Sequence, residues 1–185
     1  MKIQAVIIKK QDTKEYDQLV TCYSQEMGKF TAVAKSSLKP NSIQGMQLDL
    51  MNLVEFELVF GQGNMPIITG AQAQNVYRGI KHTLPSLAAG YFFLEILDRA
   101  VFDHQQDAQL WDFLLTTFGE LDQRGAAGVL TLNFFREKQK ILLTTLGYGE
   151  TTESADILLE QIAGRHLNSL GFLYSSIPGS HGILR

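Results

Sequence analysis

Lys2-Ile3-Gln4-Ala5-Val6-Ile7-Ile8-Lys9-Lys10, residues 2–10, opens the chain with Ile3, Ala5 and Ile7 alternating against Lys2, Gln4 and Val6. A period of two is that of a half-buried strand, and the polar residues 11–14 end it. Outward from this run the pattern repeats. Leu19, Thr21 and Tyr23 alternate with Val20, Cys22 and Ser24, and Gln25-Glu26-Met27-Gly28 sets a glycine where a hairpin needs positive φ. Residues 29–35 are β-branched and aromatic enough for a third strand, and residues 36–45, with Lys39-Pro40, read as a polar loop. Residues 52–60 form a fourth strand, with Val54, Phe56, Leu58 and Phe60 on one side and Leu53, Glu55, Glu57 and Val59 on the other. Gly61-Gln62-Gly63-Asn64 closes it, and residues 66–77 supply a fifth. Five short strands in this length fit a small closed barrel of the OB type, because closure removes the exposed edges.

Beyond Tyr77 the period changes to that of a helix. Leu84, Leu87, Ala88, Tyr91, Phe92 and Leu94 begin one amphipathic run, and Leu110, Trp111, Leu114, Phe118 and Leu121 mark a second. Residues 129–146 predict a third helix ended by Gly147, and residues 154–170 a fourth, started by Ser154 and ended by Gly171. Residues 172–185, with Pro178, Gly179 and Gly182, read as irregular. The expected class is α+β: a five-stranded OB-type barrel over residues 1–79, followed by a helical bundle domain over residues 80–185.

The 185 residues, 45% of them hydrophobic, suffice for one large domain or two small ones with cores. No apolar run nears the roughly 20 residues a bilayer requires, and Met1-Lys2-Ile3-Gln4 lacks the apolar stretch of a signal peptide, so a cytoplasmic location away from membranes is expected. The single cysteine, Cys22, lies in an apolar strand and reads as a buried structural thiol. The net charge is −3, but it is unevenly spread. Residues 1–40 hold seven lysines against four acids, and residues 81–185 hold eight basic residues against twelve acids. A phosphate backbone is therefore drawn to the N-terminal half.

Ala5-Val6-Ile7-Ile8-Lys9-Lys10, Glu15-Tyr16-Asp17-Gln18-Leu19-Val20-Thr21 and Gly28-Lys29-Phe30-Thr31-Ala32-Val33-Ala34-Lys35 resemble, in order and spacing, the first strands of the RecO family of bacterial DNA repair and recombination mediators. The likeness continues through Leu53-Val54-Glu55-Phe56-Glu57-Leu58, Tyr91-Phe92-Phe93-Leu94-Glu95-Ile96-Leu97-Asp98-Arg99 and Ile141-Leu142-Leu143-Thr144-Thr145-Leu146-Gly147-Tyr148. The resemblance implies an OB-type barrel that binds single- and double-stranded DNA, then a helical domain, with no catalytic residues and no cofactor. It implies a protein of the RecF pathway, nucleoid-associated, that anneals complementary strands and, with RecR, helps load RecA onto DNA coated by single-stranded DNA-binding protein, whose acidic tail docks on the helical domain.

Carried onto this chain, the backbone contacts fall on Lys35 and Lys39, with Lys9, Lys10 and Lys29 as lesser candidates. Tyr16, Tyr23 and Phe30 are the aromatic candidates for stacking, against a plain role in the core. The loop after the third strand, Ser36-Ser37-Leu38-Lys39-Pro40-Asn41-Ser42, keeps only Lys39 where the family's loop is rich in Arg and Lys. Arg124, Arg136, Lys138 and Lys140, near Phe134 and Phe135, are the cations open to an acidic peptide, against the reading of a solvated helix face. The family's four-cysteine zinc site has no counterpart in residues 149–156, so no metal is expected, and one helix and a tail after Tyr148 imply a reduced helical domain.

Other chemistry finds little footing. His82, His104, His166 and His181 are dispersed, and Gly61-Gln62-Gly63 lacks the further glycine of a dinucleotide fingerprint. Glu55 and Glu57 share a strand face that solvation explains. The alternative to a DNA-binding mediator is a protein-interaction adaptor at replication and repair sites, with weak or no DNA binding.

Overall fold

The alternating runs become five strands, β1 Lys2–Asp12, β2 Gln18–Ser24, β3 Gly28–Ala34, β4 Leu53–Val59 and β5 Ile67–Asn75. In this computed structural model, which describes residues 1–61, 63, 65–149 and 153–177, they close a barrel in the order β1-β2-β3-β5-β4. All neighbours are antiparallel except β3 and β5, which run parallel through Val33↔Ile67 and Ala34↔Ile68. Inward-pointing Ile7, Cys22, Phe30, Val54, Phe56 and Ile68 fill the barrel and are almost wholly buried. Each large apolar side chain so buried stabilises the fold by about 1.5–3 kcal/mol. Burial also pushes the Cys22 thiol far above its ordinary range, which suits an inert core residue.

Three local readings need correction. Val6 is fully buried, as are Ile8 and Tyr23, so β1 is covered on both faces through Ile8. The register shifts between Ile7 and Lys9, which leaves Ile8 as the extra residue of a bulge. The loop after β3 contains a short helix, α1 Ile43–Gln47, started by the Ser42 hydroxyl accepting from the Gly45 N–H at 3.0 Å. The Gln44 side chain donates to the Ile68 carbonyl at 3.1 Å and the Gln47 side chain accepts from the Ala73 N–H at 3.0 Å, which fixes α1 to β5 and buries Leu48. Phe60 is not on the core side: β4 ends at Val59, and Phe60 stands 56% exposed. Gln62 and Asn64 of the expected turn lie outside the described residues.

Five further helices follow: α2 Leu84–Ala100, α3 Ala108–Ala127, α4 Leu132–Thr145, α5 Ala155–Ala163 and α6 Asn168–Ser176. Their core is aromatic, with Phe92 and Phe135 edge-to-face at 4.9 Å and Phe135 against Tyr174 at 6.4 Å. The α4 terminus closes as expected, the Tyr148 N–H reaching the Leu143 carbonyl and the Gly147 N–H that of Thr144. The expected final helix is instead two. Gly164, at φ +70, ends α5, and the Glu160 carboxylate takes the Leu167 N–H at 3.0 Å before α6 begins. Gly171 lies inside α6. Ser154 stands at the α5 N-terminus without a side-chain cap bond. The tail with Pro178, Gly179, His181 and Gly182 is outside the described residues.

The chain forms two units, Met1–Val76 with Val101–Asp107, and Tyr77–Ala100 with Ala108–Arg185. The α2–α3 connector thus belongs with the barrel. There the His104 N–H donates to the Lys29 carbonyl at 2.8 Å, the Gln106 amide to the Glu26 carbonyl, and the Tyr23 hydroxyl to the Asp107 carbonyl at 3.3 Å. At the β2–β3 hairpin, Gly28 has φ +64, and a Cβ there would sit 2.1 Å from the Gln105 carbonyl oxygen.

Gly28→Ala should therefore cost more than the roughly 1–2 kcal/mol that a left-handed residue alone costs, seen as a lower urea midpoint at unchanged m-value. A second expectation concerns pH. Burial, and then the negative charge of Asp107, push the Tyr23 phenol from its ordinary value of 10.0 up to about 12. The folded chain keeps a proton that the unfolded chain releases above about pH 10, so this stability is intact below that pH and is lost between about 10 and 12. Thermal midpoints measured against pH should fall less steeply above about pH 10 for Tyr23→Phe than for the wild type.

Candidate nucleic-acid interface

Side chains that point outward on a barrel follow from register, because directly opposed residues share a face. Val20, Ala34, Leu58 and Ile68 are buried inward, so their neighbours Leu19, Val33, Val59 and Ile67 point out. Those four are themselves in register across four strands: Leu19↔Val33, Val33↔Ile67 and Ile67↔Val59. The outcome is a belt of aliphatic side chains on the outer surface, half-exposed except for Val59 at 52%. The next outward row holds Lys9 opposite Thr21, and Thr21 opposite Thr31, with the two hydroxyls 3.0 Å apart.

Loops extend the belt at both ends. At the β4 end stand the exposed Phe60 and Met65. At the β2 end, residues 13–17 are tied to the turn after β3. The Asp17 carboxylate accepts the Ser36 N–H at 2.8 Å, the Tyr16 carbonyl accepts the Leu38 N–H at 3.1 Å, and the Ser37 hydroxyl donates to the Gln18 side chain at 3.2 Å. This pinning holds Tyr16 at the surface, 42% exposed, with the Lys39 ammonium 5.6 Å from its ring centroid. Lys35 continues the outward side of β3 and is exposed. OB barrels use this same combination, the face of strands 2 and 3 with the β1–β2 and β4–β5 loops, to take oligonucleotides.

The structure sorts the expected site residues by exposure. Lys35 and Lys39 lie at the end of β3, with Tyr16 beside Lys39. Lys9 is half-exposed on the outer face, and Lys10, opposite the inward Val20, is half-exposed towards the barrel's end. Lys29 is nearly buried, its ammonium 3.4 Å from the Asp103 carboxylate. Tyr23 and Phe30 are core residues. Val59, Phe60 and Met65 were not foreseen; the one sequence signal for them is their place beside the glycine turn. On the same outward side of β4 as Val59, Glu55 and Glu57 flank Lys2 at 3.9 and 3.1 Å.

In the helical unit the four expected cations do not form one patch. The Arg124 guanidinium lies 4.2 Å from the Phe134 ring centroid, and the Lys138 ammonium, on the same ring at 5.4 Å, is nearly buried and bonds Glu120 at 2.8 Å. Arg136 acts on Tyr174, whose phenol is raised by burial and by its bond to Asp156. Lys140 is exposed beside an open hollow of about 430 Å³ lined by Ile141, Leu143, Thr144, Gly149, Glu153 and Ala155. Phe135 is in the core. Among the described residues no group of three or more His, Cys, Asp and Glu could hold a metal ion, and no helix is long and apolar enough to cross a membrane.

The family model for the N-terminal part of recombination protein O matches residues 1–77, which is the barrel with its five strands. The chain is similar to proteins of the RecO family. Among its relatives, the DNA repair protein RecO of Rhodopirellula baltica is 25% identical over 154 residues, covering 83% of this chain and 56% of that protein. The protein of the same name from Clostridium kluyveri is 28% identical over 173 residues, 92% of this chain and 66% of the relative. That from Geobacter metallireducens is 25% identical over 184 residues, 98% of this chain and 73% of the relative. The chain thus spans about half to three quarters of the length of these family members.

Proposed function

We propose that this chain serves DNA repair by binding, not by catalysis: it takes single- and double-stranded DNA on the β2–β3 face of its barrel and brings complementary strands together. In the same proposal it works with RecR to assist RecA loading, and the hollow beside Lys140 is the place for the acidic tail of single-stranded DNA-binding protein. The observation that supports the DNA-binding reading best is the outward belt from Leu19 to Val59, flanked by Tyr16, Lys35 and Lys39 at one end and Phe60 at the other. The relatives' names, DNA repair protein RecO, point the same way.

A second reading has its own support. Lys35, Lys39 and Lys14 share their end of the barrel with Asp12, Glu15 and Asp17, which leaves little net positive charge for a phosphate backbone. This favours the protein-interaction adaptor with weak DNA binding.

The experiment that separates the two is fluorescence anisotropy with a labelled oligonucleotide across a salt series, on the wild type and on Lys35→Ala/Lys39→Ala. The double variant should bind more weakly and lower the steepness of log K against log salt by about 1.4, at roughly 0.7 per lost contact to a single strand. An unchanged slope removes these lysines from the site, and no binding at low salt leaves the adaptor reading. Lys29→Gln should instead lower thermal stability with the slope retained, because its ammonium is turned to Asp103.

A further inference from the structure

The hollow between α4 and the start of α5 is shaped by groups that do not line it, an inference that rests on the reading of this hollow as the seat of an acidic peptide. Its lining sets the Lys140 ammonium at the α4 edge and the Glu153 carboxylate at the other, with Ile141, Leu143 and Ala155 supplying apolar wall. A peptide bound there turns its carboxylates to Lys140 and lays its apolar side chains on those walls, away from Glu153. Both contacts need the walls at a fixed separation, since a gap of about 0.5–1 Å already forfeits a quarter to a half of the dispersion attraction.

The α5 N-terminus does not supply that fixity by itself. Ser154 makes no side-chain cap bond, and the helix buries Leu159, a turn beyond Ala155. What ties the first turn down is Asp156. One of its carboxylate oxygens accepts from the Gln139 amide of α4 at 2.5 Å, and the other accepts from the Tyr174 hydroxyl of α6 at 2.5 Å. Gln139 and Tyr174 are buried, so these charge-assisted bonds form out of water, where they are strong. Arg136, one turn before Lys140 on α4, hydrogen-bonds the Tyr174 side chain in its turn. The tie lies one residue from the lining on either side, because Gln139 precedes Lys140 and Asp156 follows Ala155.

We infer that Asp156, held by Gln139 and Tyr174 and backed by Arg136, is the positioning residue of this hollow. It fixes the α5 wall against α4, and an acidic peptide meets Lys140 and the apolar walls together only while that tie stands. Arg136 acts here through Tyr174 and not as a docking cation.

The test is an anisotropy titration of the full chain with a fluorescein-labelled peptide of four aspartates followed by leucine and phenylalanine. The same peptide with lysines for aspartates is the control. The variants are Lys140→Ala, Tyr174→Phe, Asp156→Asn and the pair Lys140→Ala/Tyr174→Phe. Tyr174→Phe keeps its ring in the core beside Phe135, and a urea midpoint for each protein shows that it is folded. The wild type should take the acidic peptide and not the control. Lys140→Ala should weaken binding about three- to fivefold, the size of an exposed ion pair. Tyr174→Phe and Asp156→Asn, which leave the lining untouched, should each weaken it about three- to tenfold, within the coupling range of residues that share one network. The pair should bind at least about twofold tighter than the product of its two single losses predicts, whereas a loss unrelated to the hollow would simply multiply. Folded Tyr174→Phe and Asp156→Asn proteins that bind as the wild type does, or losses that multiply in the pair, overturn this inference and leave the reading of the hollow standing. A wild type that takes neither peptide, or both alike, overturns that reading and the inference with it.

Discussion

Two register pairs between parallel strands, Val33↔Ile67 and Ala34↔Ile68, close the barrel. Everything proposed for the barrel surface depends on that short seam. Ala34 and Ile68 point inward and complete the packing around Phe30 and Phe56, while Val33 and Ile67 point outward and join the two halves of the belt. The Val33 N–H, taken by the Pro66 carbonyl at 2.9 Å, extends the seam by one bond. Without it the sheet would keep two free edges at β3 and β5, and the aliphatic row would be split into unrelated pairs. The seam is made possible by small, β-branched and aliphatic residues, which let strands of opposite origin approach at normal spacing.

Strand identity was legible because alternation survives wherever one face meets the core: Val54, Phe56 and Leu58 share one buried side, and Cys22 is the buried thiol its apolar strand suggested. Alternation fails where its premise fails. Val6 is buried although it lies opposite the core side, since β1 is covered on both faces, and Phe60 escapes the core because its strand has already ended. The short α1 carries too few residues for a helical period, and the Ser42 cap was its only local sign. The break between α5 and α6 rests on Gly164 and on a bond from Leu167 back to the Glu160 side chain, and the second of these is a tertiary detail. Apolar residues on both sides of Gly164 carried the helical period straight through it.

Charge was the least legible property, because a sequence counts ammonium groups without showing which are committed. Lys29 and Lys138 were both placed among candidate contacts, and both are nearly buried beside a carboxylate. Arg124 lies on the Phe134 ring. Aliphatic stems of Lys and Arg cover apolar surface readily, so cations near phenylalanines are as often packing groups as docking groups. Phe60 was hidden for the converse reason: an aromatic residue in a strand-rich segment is read as core until the register is known.

The connector between α2 and α3 gives the barrel unit a discontinuous chain, since Val101–Asp107 returns to the β2–β3 hairpin and meets Gly28, Lys29 and Tyr23. On a ribosome that ordering has a consequence. The five strands emerge first, yet the hairpin's contacts are complete only after α2 and the connector have also left the exit tunnel. An early barrel must therefore wait with its hairpin partly uncovered, and the first helix of the other unit is synthesised before the barrel unit is finished.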